Sequence, residues 1–181
     1  MNESTEKKPI SLKKKKRYKE QIRKAGIAKN KAKKEGKPEA KKRPGLIRKS
    51  VYSVDQVLAK VVPHATTPQA KKAAKRDFDG DMIGMGSQRY QVFKHKGTTC
   101  VCCGLEGSFF AKERHEKVKT YHFNLYGINA DGLEVLMTKD HIIPKSKGGK
   151  NELENYQPMC TVCNFAKADK MPESFPTLVS Q

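Results

Sequence analysis

Two short constellations in this chain have residue types and spacings suited to chemistry. The first is a pair of Cys-x2-Cys motifs, Cys100/Cys103 and Cys160/Cys163. Two residues between thiolates let both sulfurs reach one tetrahedral zinc ion at about 2.3 Å. Two such pairs make a four-thiolate site with no place for water, so the Zn²⁺ is expected to be structural. Buried thiols or a redox CxxC are the competing readings, and two matched pairs weigh against both. Cys102 is left over as a small thiol. The second constellation is Asp140-His141 with Asn155 and Asn164 downstream. An imidazole titrates near neutrality and is a natural proton acceptor. A carboxylate beside it and an amide oxygen nearby suit a hard divalent cation. Singly these signals are weak, since Asp-His is a common surface dipeptide, Asn155 suits a turn and Asn164 an N-cap. Their joint spacing inside the cysteine frame gives them weight.

The stretch Thr138–Lys167 carries Asp140-His141, Pro144, Gly148-Gly149, Asn155, and then Cys160-x2-Cys163-Asn164-x2-Lys167. It resembles the HNH endonuclease family, in the subgroup with paired CxxC motifs. The resemblance covers about Cys100 to Asp169 and leaves residues 1–90 outside. It implies an α+β fold, the small ββα-metal finger: a two-stranded sheet bearing the Asp140-His141 loop, closed by one helix through the shared zinc. It further implies one divalent ion, Mg²⁺ or Mn²⁺, held by Asp140 and Asn164 at the scissile phosphate. His141 would be the general base, and Asn155 would pin the loop that orients it. Lys145, Lys147, Lys150 and Lys167 would neutralise phosphates around the site. The implied activity is hydrolysis of phosphodiesters in double-stranded DNA, leaving 5′-phosphate and 3′-hydroxyl ends, and the implied origin a phage or mobile element. Asn164 departs from the name-giving pattern, which has His there. An amide still supplies a ligand oxygen, but with one carboxylate the ion would be weakly held and completed by water and substrate oxygens. A zinc-stabilised module that binds DNA or RNA without cutting is the alternative. The cysteines fit it equally well, but a binder has no use for a base beside a cation ligand.

The chain has 181 residues with a net charge of +19, spread unevenly. Residues 1–49 hold 20 Lys/Arg against 5 Glu, and the remainder 18 against 14. So dense a polycation attracts polyphosphate through Coulomb attraction and counterion release. Residues 1–49 are therefore expected to be a basic, largely disordered tail, with Leu12–Ala32 able to turn helical on a partner. Residues 50–87 read as a linker with one short helix over Asp55–Val61, capped by Ser53. Residues 88–172 would form the nuclease domain, and 173–181 a C-terminal tail. Within the domain, short strands are expected at Tyr90–Lys94, Ser108–Ala111, Tyr121–Tyr126 and Leu133–Thr138, with a turn at Asn129–Gly132. A helix should run from near Cys160 to about Asp169. His122 reads as a packed histidine. Asp77-x-Asp79-x-Asp81 has the opening of a calcium loop, but Met82 and Gln88 stand where Gly and Glu are required, which rejects it. No run of 18 apolar residues exists, so no membrane partner is expected. The N-terminus lacks a signal-peptide core, and clustered, odd-numbered cysteines suit a reducing cytoplasm.

Overall fold

The computed structural model describes residues 45–175. The helix read at Leu12–Ala32, the tail up to residue 44 and the end of the chain from residue 176 lie outside the described residues. The described part is built on a five-stranded antiparallel sheet in the order β1-β4-β5-β6-β7. Its strands are β1 (Leu46–Ser53), β4 (Phe109–His115), β5 (His122–Ile128), β6 (Glu134–His141) and β7 (Tyr156–Cys160). Around it lie α1 (Val54–Leu58), α2 (Pro68–Ala73), a hairpin of β2 (Lys75–Phe78) and β3 (Asp81–Gly84), α3 (Gln88–Lys96), and α4 (Thr161–Lys167). The two-stranded sheet expected from the sequence is corrected: β6 and β7 are present, but as the last two strands of five. Residues 46–84 also carry three strands and two helices where the sequence suggested tail and linker with one short helix. Val57, Phe78 and Ile83 from this stretch enter the same core as Phe110, Phe123 and Met137.

Ser53 caps α1 as expected, in a capping box with Gln56. The expected strand at Tyr90–Lys94 is instead helix α3, capped by the Ser87 hydroxyl. Tyr90 and Val92 have strand spacing while Tyr90 and Phe93 have helix spacing, so five residues do not decide the period. All three are buried, and the Tyr90 hydroxyl accepts from Phe123 N at 3.0 Å, which docks the helix on β5. The aspartate-rich segment forms the β2–β3 hairpin, turned at Asp79-Gly80 with both φ positive (53° and 80°). Asp81 ion-pairs with the buried Lys112 at 2.8 Å. The edge strand β1 is tied in by Arg48, which reaches Glu113 on β4 at 2.7 Å and Glu134 on β6 at 2.8 Å. His122 is half-buried on β5; burial and the nearby Arg89 charge hold its pKa below the ordinary value, as suits a packed, neutral ring. Among the described residues no helix is long and apolar enough to cross a membrane.

Candidate functional site

The four cysteines meet. The turn Cys100–Gly104 is closed by Gly104 N donating to Cys100 O at 2.9 Å, and Val101 N donates to Pro158 O of β7 at 3.1 Å. That second bond brings the first pair beside the second, which sits where β7 passes into α4. Cys160 is the N-cap of α4, its sulfur accepting from Cys163 N. All four Sγ atoms lie within 4.8 Å of one another, with Cys103 and Cys160 at 3.8 Å. Four sulfurs at about 2.3 Å from a tetrahedral zinc stand about 3.8 Å apart, so the cluster fits that ion. Hydrogen bonding to Cys100 from Cys103 and the second pair drives the Cys100 thiol far down. The same bonding to Cys100 pushes Cys160 and Cys163 up. With a dication held at their centre all four could be ionised.

A second centre lies at the end of β6. Side chains alternate along a strand, so Thr138 and Asp140 share one face and Lys139 and His141 the other. The first face meets α4. Asn164 Nδ2 donates to Thr138 Oγ1 at 2.9 Å, and one turn further on Lys167 Nζ lies 3.0 Å from Asp140 Oδ2. Gln157, the register partner of Asp140 on β7, donates to the same Oδ2 at 2.9 Å. Oδ1 of Asp140 takes part in neither contact. Lys167 is 2% exposed and also donates to His141 O at 2.6 Å. It therefore clamps the strand end while lining the same cleft as Asp140 and His141, around which the sequence reading had placed it. Lys145 lines the cleft as expected, and Lys147 and Lys150 are exposed on the same loop.

The opposite face holds His141. Its Nε2 stands 2.9 Å from Asn151 Oδ1, and its ring packs edge-on to Tyr156 with centroids 4.7 Å apart. The amide oxygen can only accept, so Nε2 carries the proton and Nδ1 keeps the basic lone pair. The Tyr156 hydroxyl stands 3.1 Å from Gln88 Oε1 and 3.2 Å from Asn151 Oδ1. Lys139 Nζ donates to the same Gln88 oxygen at 2.6 Å and lies 3.8 Å from the centre of the Tyr156 ring. Asp140 and His141, with Lys145, Ser146 and Asp169, line one open cleft of about 280 Å³.

Asn155 holds the intervening loop. Its Oδ1 accepts from Ile143 N at 2.8 Å, and its Nδ2 donates to Ile143 O and Lys150 O at 3.1 and 3.0 Å. The loop closes so tightly here that a Cβ on Gly149 would fall 1.7 Å from Ile143 O. Sequence reasoning missed Asn151, Gln157, Tyr156 and Gln88. Register supplies the signal for two of them, since Tyr156 and Gln157 fall opposite His141 and Asp140 once β7 is recognised. Residues 131–177 match the family model described as HNH endonuclease. No curated protein and no solved structure matches the chain.

Proposed function

Starting from the membership of residues 131–177 in the HNH endonuclease family, we propose that the chain is a metal-dependent endonuclease that hydrolyses DNA phosphodiester bonds. The observation that carries this reading is one cleft lined by both Asp140 and His141, with the ring held so that Nδ1 is its base. His141 takes the proton of a water molecule at Nδ1 as the water oxygen bonds to phosphorus. The bond to O3′ breaks, leaving a 5′-phosphate, and O3′ is protonated from solvent. Asp140 Oδ1 and the Asn164 amide oxygen would hold one Mg²⁺ or Mn²⁺, both on the α4 side of β6. Donation of Asn164 Nδ2 to Thr138 turns the amide so that Oδ1 is the atom left to ligate. Bound there, the ion supplies charge for the phosphoryl and leaving oxygens. Asn155 acts through the loop, keeping the backbone that follows His141 in one arrangement. Among the described residues only the four cysteines form a cluster of three or more His, Cys, Asp or Glu ligands. An ion held by Asp140 and Asn164 would therefore need water and substrate oxygens as further ligands, and a zinc on the four cysteines would be a separate, structural ion.

The test is incubation of the purified chain with plasmid and Mg²⁺ or Mn²⁺, wild type against His141→Ala. Wild type should convert supercoiled plasmid to nicked or linear forms, and the variant should lose at least about a hundred-fold in rate. Intact plasmid with both proteins, over several metals and with RNA and single strands also tried, would leave the non-cutting nucleic-acid binder as the better reading.

A further inference from the structure

A second cleft, of about 400 Å³, lies on the His141 side of the sheet and outside the matched family segment but for one residue. Its polar walls come from His64, Lys71 on α2, Gln88 and Arg89 on α3, and Lys139 on β6, and none of its lining residues is acidic. We propose that this cleft binds the phosphodiester backbone of the nucleic-acid strand that flanks the cut, a proposal that rests on the nuclease reading for its ligand.

The partners of its cations carry the argument. Three buried or half-shielded cations elsewhere are matched to carboxylates, Arg48 to Glu113 and Glu134, Lys112 to Asp81 and Lys167 to Asp140, while Arg76 and Arg114 donate to main-chain carbonyls of their own turns. Arg89 and Lys139, the half-buried cations of this cleft, are held by neutral groups. Arg89, half-buried, donates to the Asn124 side-chain oxygen at 3.1 Å and to Phe123 O at 2.5 Å. Lys139, also half-buried, donates to the Gln88 amide oxygen at 2.6 Å and rests over the Tyr156 ring. His64 Nδ1 lies 2.9 Å from Gly86 O, so its second nitrogen is free of that bond. Such contacts fix the position of a charge without cancelling it. Like charges gathered on one wall repel one another, and an anion relieves that repulsion.

The place of the cleft selects the anion. Lys139 and His141 are two residues apart on one face of β6, about 6.6 Å along the strand. The same two side chains are joined through Gln88, Tyr156 and Asn151. A strand whose scissile phosphate sits at His141 thus meets fixed positive charge immediately beside it. A repeating anion uses both clefts, whereas a single small anion would use one.

The experiment uses the full chain in a His141→Ala background, so that no cleavage disturbs binding. Affinity for a duplex oligonucleotide is measured against salt for Lys71→Ala, Lys71→Glu and the control Lys119→Glu. Lys119 is exposed and lines neither cleft. Removing one phosphate contact should lower the slope of log K against log salt by about 1, so Lys71→Ala should show that change. Lys71→Glu should weaken binding further, by about ten-fold or more, while Lys119→Glu should change it less than about two-fold. Equal losses at 71 and 119 overturn the proposal, because only overall charge would then be felt. The two readings separate cleanly. Selective loss at Lys71 in a protein whose His141 form never cuts leaves the cleft standing and removes the nuclease, whereas cutting with equal losses does the reverse.

Discussion

Replacing Asp140 by alanine should unfold the strand end as well as silence the site, and the two effects can be told apart. Asp140 is 6% exposed and Lys167 2% exposed, with 3.0 Å between carboxylate and ammonium. Removing one partner of a buried pair strands the other charge, which costs about 3–5 kcal/mol. Gln157 Nε2 also loses its acceptor, worth about 1 kcal/mol more. The total, on the order of 5 kcal/mol, is a large part of the stability of a domain this size. In a chain of this length each kcal/mol moves Tm by about 2–4 °C, so the melting point should fall by about 10–20 °C. Lys167→Met removes the ammonium and leaves the carboxylate at a cleft open to water, which makes it the milder change. In the double variant Asp140→Asn with Lys167→Met, neither charge remains, and an amide can still accept from Gln157. Urea denaturation in zinc-containing buffer without chelator gives the free energies, and the double-mutant cycle gives the coupling. The pair should couple by about 2–3 kcal/mol. Strict additivity within about 0.5 kcal/mol would refute the clamp, for Lys167 would then hold His141 O with no help from Asp140. A double variant that is stable yet inert would show the carboxylate acting in the chemistry itself.

Three other outcomes test the surroundings of His141 and the charge of residues 1–43. Asn151→Ala should slow cleavage roughly ten- to a hundred-fold with the fold intact, because it releases the tautomer-fixing bond to Nε2. Asn151→Asp should move the acid limb of the kcat/KM profile to higher pH, since a carboxylate stabilises the imidazolium; an unmoved limb would make Asn151 merely structural. The tail should be removed as residues 1–43, which carry 18 Lys/Arg against 5 Glu. A cut at residue 49 would take Arg48 and half of β1 with it. The shorter deletion should weaken duplex binding and flatten its salt dependence while single-turnover cleavage at saturating duplex stays within a few-fold; abolished single-turnover cleavage would give the tail a part in the chemistry.

The local constellations were legible because each depends on spacing in one dimension. Two CxxC pairs predict a cluster without knowledge of the path between them, and the cluster is there. The Asp140-His141 pair and Asn155 were legible in the same way. The sheet was not, because its size is set by pairings between distant strands such as β1 with β4. In β7, Pro158 breaks the strand pattern, yet a proline is tolerated at the last strand of a sheet, where no further strand calls on an N–H. The ion pair of Lys167 was not legible for a related reason. Sequence shows a lysine near a predicted site, and only the packing of α4 on β6 shows that it points inward to Asp140. Asn151, Tyr156 and Gln88 are ordinary polar residues until the fold brings them around His141.

The matched segment and the working unit are of different extent. Residues 131–177 contain Cys160 and Cys163 but neither Cys100 nor Cys103, so they hold half of the four-cysteine cluster. They contain His141, Asn151 and Tyr156 but not Gln88, whose oxygen meets the Tyr156 hydroxyl and Lys139. They contain β6 without β5, leaving Leu136 and Met137 without the strand that helps to bury them. Excised as a peptide, this segment should therefore bind zinc far more weakly than the full chain and show no cooperative melting. In the full chain one zinc per molecule should be found by elemental analysis, and a strong chelator should abolish the cooperative transition, whereas His141→Ala should melt like wild type. A peptide of residues 131–177 that folds with zinc and cuts DNA would show that α3, the first cysteine pair and the strands before β6 are accessory, and that the base needs no support from Gln88.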